Sequence, residues 1–114
     1  MIDENCIFCS IIQGKLSAER VYEDDGIIVI PDIHPIARLH YLVIPKEHYP
    51  SLAEMNAFQA NNLALMLKKL PEISAKLGFT DGYRLIINQG PDAGQSVPHM
   101  HIHMVGGQKL KFEA

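Results

Sequence analysis

Residues 97–104 read VPHMHIHM and put histidines at 99, 101 and 103. In an extended chain successive side chains alternate, so His99, His101 and His103 share one face while Met100, Ile102 and Met104 fill the other. An imidazole has an ordinary pKa near 6.5 and is mostly neutral at pH 7, which makes it a competent nucleophile or general base. Along a strand adjacent histidines of this row stand roughly 6.5 Å apart and the outer two about 13 Å apart. Zinc bonds to imidazole nitrogen at about 2.1 Å, so one ion takes two neighbours at most, and a simple three-histidine metal site is a poor reading. Just upstream, NQGPDAGQS (residues 88–96) supplies Gly90, Gly94, Gln95 and Ser96. Glycines let backbone N–H groups approach a ligand, and such turns form anion-binding concavities. Donors for a phosphate beside a row of imidazoles suggest phosphorus chemistry, in which a histidine forms a covalent N–P bond and splits one displacement into two.

A second group of reactive residues is CIFC, where Cys6 and Cys9 have the spacing of a zinc half-site. A thioredoxin-type redox pair needs a preceding strand, and five residues do not readily provide one. In a reducing compartment two cysteines three apart are reduced or metal-bound rather than a structural disulfide. The remaining ligands must come from elsewhere in the chain; two buried free thiols are the alternative.

The elements that position these residues follow from length and periodicity. The 114 residues suit one domain, spanning 1–114, with a modest core. Ten basic residues stand against 13 acidic ones, scattered apart from Lys68 and Lys69, which does not suit a nucleic-acid-binding face. The start, MIDENCIF, lacks an apolar run of signal-peptide length, and runs such as IIVIP cannot cross a bilayer, so a soluble cytoplasmic protein with no membrane partner is expected. CIFCSIIQG reads as a short helix with Gly14 as its stop. RVYEDDGIIVIPDI reads as two strands about an Asp-Gly turn, and residues 40–46 as a third strand. Residues 51–78 are helical in pattern, with Ser51 and Glu54 spaced as a capping box. Leu52, Met55, Phe58, Leu63, Met66, Leu67 and Leu70 form its apolar stripe, and Pro71 either kinks the helix or starts another. YRLIIN and the histidine stretch are the fourth and fifth strands. The expected fold is α+β: a five-stranded antiparallel sheet with one short and one long helix.

PHMHIHMVGG, together with YEDDGIIVIPDIHPIARLHYLVIPKEH and YRLIINQGPDAGQS, resembles the histidine-triad (HIT) family in order and spacing over about residues 6–107. With Gln-Ser before the triad, it is similar to the branch of histidine-triad nucleotide-binding proteins that hydrolyse adenosine phosphoramidates. The resemblance implies that His101 attacks the α-phosphorus, that His99 and His103 flank it facing the phosphate oxygens, and that Ser96 donates to the leaving group. It implies Asp32 on the ribose hydroxyls with Ile33 alongside, Phe8, Ile11 and Ile30 lining the purine pocket, and Asn88 and Gln95 near ribose and phosphate. His40 matches a further active-site histidine. Some bacterial members begin with the same Cys-x-x-Cys and complete a structural zinc with two histidines, here His48 and His99, beside Cys6 and Cys9. That makes His99 a support rather than a free base. His34 matches no functional position. No organic cofactor is implied.

Departures from the pattern are Pro98, where the branch is often aromatic, and Leu39, where a small residue is usual. The tail QKLKFEA is shorter than in relatives whose carboxyl end shapes substrate choice. The expected activity is hydrolysis of purine nucleotide phosphoramidates or related conjugates. Rivals are dinucleoside polyphosphate hydrolysis, a nucleotide-binding regulatory module with little turnover, and a metal-binding structural protein. A five-stranded sheet leaves an unpaired edge, and the long helix carries more apolar surface than one sheet face buries, so a homodimer is expected.

Overall fold

The computed structural model describes residues 3–111. The chain runs α1 (Ile7–Ile12), β1 (Tyr22–Glu23), β2 (Ile27–Pro31), β3 (Leu39–Pro45), α2 (Ala57–Lys76), β4 (Tyr83–Ile86) and β5 (Ile102–Gly106), with 3-10 turns at Leu52–Glu54 and Pro91–Ala93. All strand pairs are antiparallel and the sheet order is β1-β2-β3-β5-β4, so the fold is the expected α+β arrangement.

Both faces of the central strands are covered, which explains the near-continuous apolar runs IIVIP and LVIP. Ile27, Val29, Val43, Ile102 and Met104 pack with Met66, Leu70 and Ile73 of α2. Ile28, Ile30, Leu42 and Ile44 face the other way, onto Phe8, Cys9 and Ile11 of α1. Met100, Ile102 and Met104 all enter the α2-side core, as alternation predicts. The regular strand, however, begins only at Ile102, and His99 and His101 lie on the extended segment leading into it.

Helix α2 starts later than Ser51. Leu52–Glu54 is a separate 3-10 turn whose Ser51 side chain makes no capping bond. The capping box is formed by Asn56 and Gln59, each side chain bonding the other's backbone N–H at 2.8 and 2.9 Å. Nor does Pro71 divide the helix: α2 continues to Lys76, and the Ser74 hydroxyl donates to the Pro71 carbonyl at 2.8 Å. The apolar stripe is also narrower than predicted. Met66 and Leu70 are buried and Leu52, Met55 and Leu63 half-buried, but Phe58 and Leu67 are 64% and 42% exposed, as is Leu65 at 57%.

Two polar side chains pin the edges of this frame. Asp24 accepts from the amides of Gly26 and Ile27 at 2.8 and 3.0 Å and from Tyr22 Oη at 3.0 Å, and binds Lys69 Nζ at 2.8 Å, tying the β1–β2 turn to α2. Burial alone would raise its carboxyl pKa, but the Lys69 and amide hydrogen bonds outweigh it and hold the pKa at about 2. Arg20 donates to the carbonyls of Ile11 and Ile12 and to Glu23, capping the carboxyl end of α1 against the sheet. Among the described residues no helix is long and apolar enough to cross a membrane.

Candidate active site

Each of the three triad histidines is oriented by a different neighbour. His99 is fully buried and its Nε2 lies 2.8 Å from the Pro45 carbonyl, so Nε2 carries the proton and Nδ1 presents a lone pair. His101 Nδ1 lies 2.7 Å from the His99 carbonyl, so here Nδ1 carries the proton and Nε2 is the basic, nucleophilic nitrogen. The segment holding both is anchored by the Met100 amide, which donates to the Tyr49 carbonyl at 2.8 Å. The Phe8 ring meets His99 and His101 edge-on at 5.8 and 5.1 Å, fixing the plane of the second imidazole.

His103 lies opposite Leu42 and His40 opposite Val105, so the two histidines are diagonal neighbours on one face of the β3–β5 pair. His40 Nε2 is 2.9 Å from His103 Nδ1, and Asp32 Oδ2 lies 3.3 Å from the former and 3.9 Å from the latter. Asp32 Oδ1 accepts the His34 amide at 2.8 Å, a local bond that aims the carboxylate; His34 itself is exposed. Burial, with the neighbouring His101 and His40, lowers the His103 pKa to about 4, and burial lowers that of His40 despite the nearby Asp32 carboxylate.

An apolar pocket of about 470 Å³ opens beside this row. Phe8, Ile11, Ile30, Asp32 and Ile33 all border it, Ile33 as an 86% exposed rim residue. The segment Leu16–Glu19 and Leu42 complete its walls. Leu42 shares the His40 face by strand alternation and was readable as such, whereas Leu16–Glu19 is irregular chain without a periodic signal. In the glycine loop, Gln95 is committed to structure: its Oε1 accepts the Gly90 amide at 3.0 Å and its Nε2 donates to the Pro50 and Val97 carbonyls. Ser96 is exposed, and Asn88 is half-buried just past β4.

On the far side of His99 the two cysteines meet the two histidines named for them. Cys6 Sγ and Cys9 Sγ lie 3.3 and 3.6 Å from His99 Nδ1, Cys9 Sγ lies 3.4 Å from His48 Nδ1, and the two Nδ1 atoms are 3.1 Å apart. The four ligand atoms fall within 4.8 Å of one another. Both cysteines are free thiols. The amides of Asp3 and Cys9 each approach a sulfur at 3.4 Å, and Asp3 Oδ2 is 3.7 Å from His48 Nε2, an outer shell of the kind that orients metal ligands. Burial raises the Cys9 thiol pKa above its ordinary value.

Several relatives of this chain are histidine-triad or HIT-like proteins. Residues 5–113 match the family described as scavenger mRNA decapping enzyme C-term binding. Protein HitA of Neisseria gonorrhoeae is 45% identical over 103 residues, covering 90% of this chain and 96% of its own length. A histidine triad protein from Clostridium difficile is 36% identical with a TM-score of 0.93, both chains being covered completely (100%). An HIT family hydrolase from Clostridium thermocellum is 42% identical, with a TM-score of 0.90 and 97% of each chain covered. A zinc-bound histidine triad family protein from Mycobacterium smegmatis is 36% identical, with a TM-score of 0.78, covering 95% of this chain and 81% of its own. This chain belongs to the histidine-triad (HIT) family, and it is similar to HIT family hydrolases along nearly its whole length.

Proposed function

We propose that the protein hydrolyses purine nucleoside phosphoramidates and related nucleotide conjugates at the α-phosphorus, as the nucleotide-binding branch of the family does, through a nucleotidyl-histidine on His101. The observation that carries this is the bond from His101 Nδ1 to the His99 carbonyl, which leaves Nε2 as a fixed lone pair on a ring packed against Phe8, itself a wall of the apolar pocket. The base enters between Phe8, Ile11 and Ile30, and Asp32 takes the ribose hydroxyls, with Ile33 over the sugar. Asn88 and the Gln95-braced loop border the ribose and phosphate. His101 Nε2 attacks phosphorus, forming an N–P bond as the bond to the leaving amine breaks. The amine leaves with a proton passed by the Ser96 hydroxyl, which regains one from solvent. Water then attacks phosphorus, releases its proton to solvent, and the N–P bond breaks to return the His101 lone pair and a nucleoside monophosphate. His103, neutral and fixed beside His101, donates to the phosphoryl oxygens in both steps, where charge develops.

Rapid-quench trapping tests the reading: wild-type protein with an adenosine phosphoramidate is expected to yield an acid-labile, base-stable adenylyl adduct on His101. Full turnover by His101→Ala, or an adduct on His99 or His103, would sink it.

Cys6, Cys9, His48 and His99 would hold a structural zinc. The donor set fits: four of the distances among the two sulfurs and two imidazole nitrogens are 3.1 to 3.6 Å and all fall within 4.8 Å, close to the roughly 3.4 to 3.8 Å edges of a tetrahedron with zinc's bond lengths. The ion would tie α1 to the ends of β3 and β5 without contacting the reacting phosphorus. The homodimer belongs to the same proposal. It is supported by exposed Phe58 and Leu65, seven residues apart on one face of α2, and by the place of β4, bearing exposed Leu85, at one end of the sheet among the described residues. Analytical ultracentrifugation should give a dimer at micromolar concentration and a monomer for the Phe58→Glu, Leu65→Glu variant; a monomeric wild type would refute the pairing.

A further inference from the structure

We infer that His40 is a positioning residue that sets the tautomer of His103, and that without it Asp32 would set the opposite one. The inference rests on the catalytic reading above for its consequence, but its structural content stands apart from it. A backbone amide fixes the first proton. Ile36 N–H points at His40 Nδ1 at 3.1 Å, and an amide can donate only to an unprotonated ring nitrogen. His40, 6% exposed and disfavoured as a cation by burial, is therefore neutral with its single proton on Nε2.

That Nε2 stands 2.9 Å from His103 Nδ1. Two N–H groups cannot face each other at this distance, so His103 Nδ1 accepts, and the proton of neutral His103 sits on its outer nitrogen, Nε2. His103 is thereby held as a donor on the side away from β3. The direction of the chain is Ile36 amide to His40, His40 to His103, and His103 outward to an anion.

Asp32 gives the arrangement its alternative. Its Oδ2 lies 3.9 Å from His103 Nδ1 and 3.3 Å from His40 Nε2. If the His40 donor were absent, the carboxylate would be the nearest partner for His103 Nδ1, and a carboxylate accepts only. His103 would then carry its proton on Nδ1, and Nε2 would turn a lone pair toward the phosphate oxygens, converting an attraction into a repulsion. In the intact protein the nearer His40 Nε2–H occupies His103 Nδ1, and Asp32 remains available to a ligand.

The replacement that separates the two roles is specific. His40→Leu removes the donor. His40→Gln keeps both bonds, because the amide oxygen can accept from Ile36 N–H while the amide nitrogen donates to His103. The test is long-range ¹H–¹⁵N correlation of the histidine rings in ligand-free protein, which reads the tautomer directly and does not require turnover. We expect the Nε2–H form of His103 in wild type and His40→Gln, and the Nδ1–H form in His40→Leu. Turnover should fall about 10- to 100-fold in His40→Leu and return to within about threefold in His40→Gln. A wild-type His103 protonated on Nδ1, or an unchanged His103 tautomer in His40→Leu, would overturn the inference. Absence of any adduct on His101 would defeat the hydrolase reading while leaving the tautomer result intact.

Discussion

The chain builds two clusters of imidazoles and acidic groups less than one strand apart, and they are wired in opposite ways. Around His99 the side chains converge: its Nδ1 faces Cys6, Cys9 and His48 Nδ1, and its own proton is sent away to the Pro45 carbonyl. Around His103 the groups are arranged head to tail, with each nitrogen that accepts facing one that donates. Two thiols and two imidazoles converging on one point suit a cation, whereas a head-to-tail chain is satisfied by its own protons and only orients them. On the proposed reading the backbone sorts chemically identical side chains into a support and a machine, and His101, bonded to the His99 carbonyl, sits on the boundary.

The sharpest way to break this division is at the boundary residue. His101→Ala should lower turnover by three or more orders of magnitude, as loss of a nucleophile does in other covalent enzymes. Nucleotide affinity, measured by calorimetry, should stay within about tenfold, or 1.4 kcal/mol. On the support side, Cys6→Ser or His48→Ala should abolish the zinc, about one per chain by metal analysis of wild type. Because the ion would close a loop from Cys6 to His99, its loss should cost on the order of 4 kcal/mol in chemical denaturation. Fully reduced wild-type protein without zinc would collapse the distinction between the clusters.

Ser96→Ala sharpens the machine side: about 10- to 100-fold slower turnover with poor amine leaving groups, and only a few-fold with good ones, since only the former need a proton in the transition state. The pH response tests the burial of His103 itself. His103, with its pKa lowered to about 4, is favoured neutral in the fold relative to the unfolded chain near 6.5. Its contribution to stability is complete above about 6.5 and is lost as pH falls toward 4. Its ring resonances should accordingly show a neutral imidazole at pH 5.5. The smallest effect lies outside both clusters. Asp24→Asn should cost about 2 kcal/mol at pH 7, the linkage value of a carboxyl held near 2. That cost should shrink as pH falls from 3.8 toward 2, because the wild-type carboxylate is itself protonated there.

The residues that converge are the ones whose type restricts their chemistry. Histidines at every second position and Cys-x-x-Cys could be read without coordinates, because few roles suit those types at that spacing; Asp32, His40 and His48 are picked out only by the resemblance to the family. What could not be read depends on the backbone. The tautomers of His99, His101 and His103 are dictated by the Pro45 carbonyl, the His99 carbonyl and, through His40, the Ile36 amide, and backbone groups leave no trace in residue identity. The start of α2 was misplaced because Ser51–Glu54 and Asn56–Gln59 offer the same spacing, and only the second pair precedes an uninterrupted helix. Phe58 and Leu67 match helical periodicity but fall beside the buried arc rather than in it, since a heptad of apolar residues does not say which side faces the sheet. The irregular wall Leu16–Glu19 has no period to detect at all.

The double coverage of β2 bears on how accurately the site is placed. In a half-exposed strand, alternation of apolar and polar residues acts as a reading frame, since a slip of one residue would expose the core face. Ile27, Ile28, Val29 and Ile30 are all buried, so hydrophobicity alone scarcely distinguishes one frame from the next. The frame must be counted from the ends. At one end the Asp24 carboxylate grips the amides of Gly26 and Ile27, and the Lys46 amide donates to Gly26; at the other the Asp32 amide donates to His40. A single-step slip between β2 and β3 would carry the Asp32 carboxylate to the opposite side of the sheet from His40 and His103. The hairpin turn at Asp24, remote from any reacting atom, is thus the zero mark from which the distance between carboxylate and imidazoles is measured.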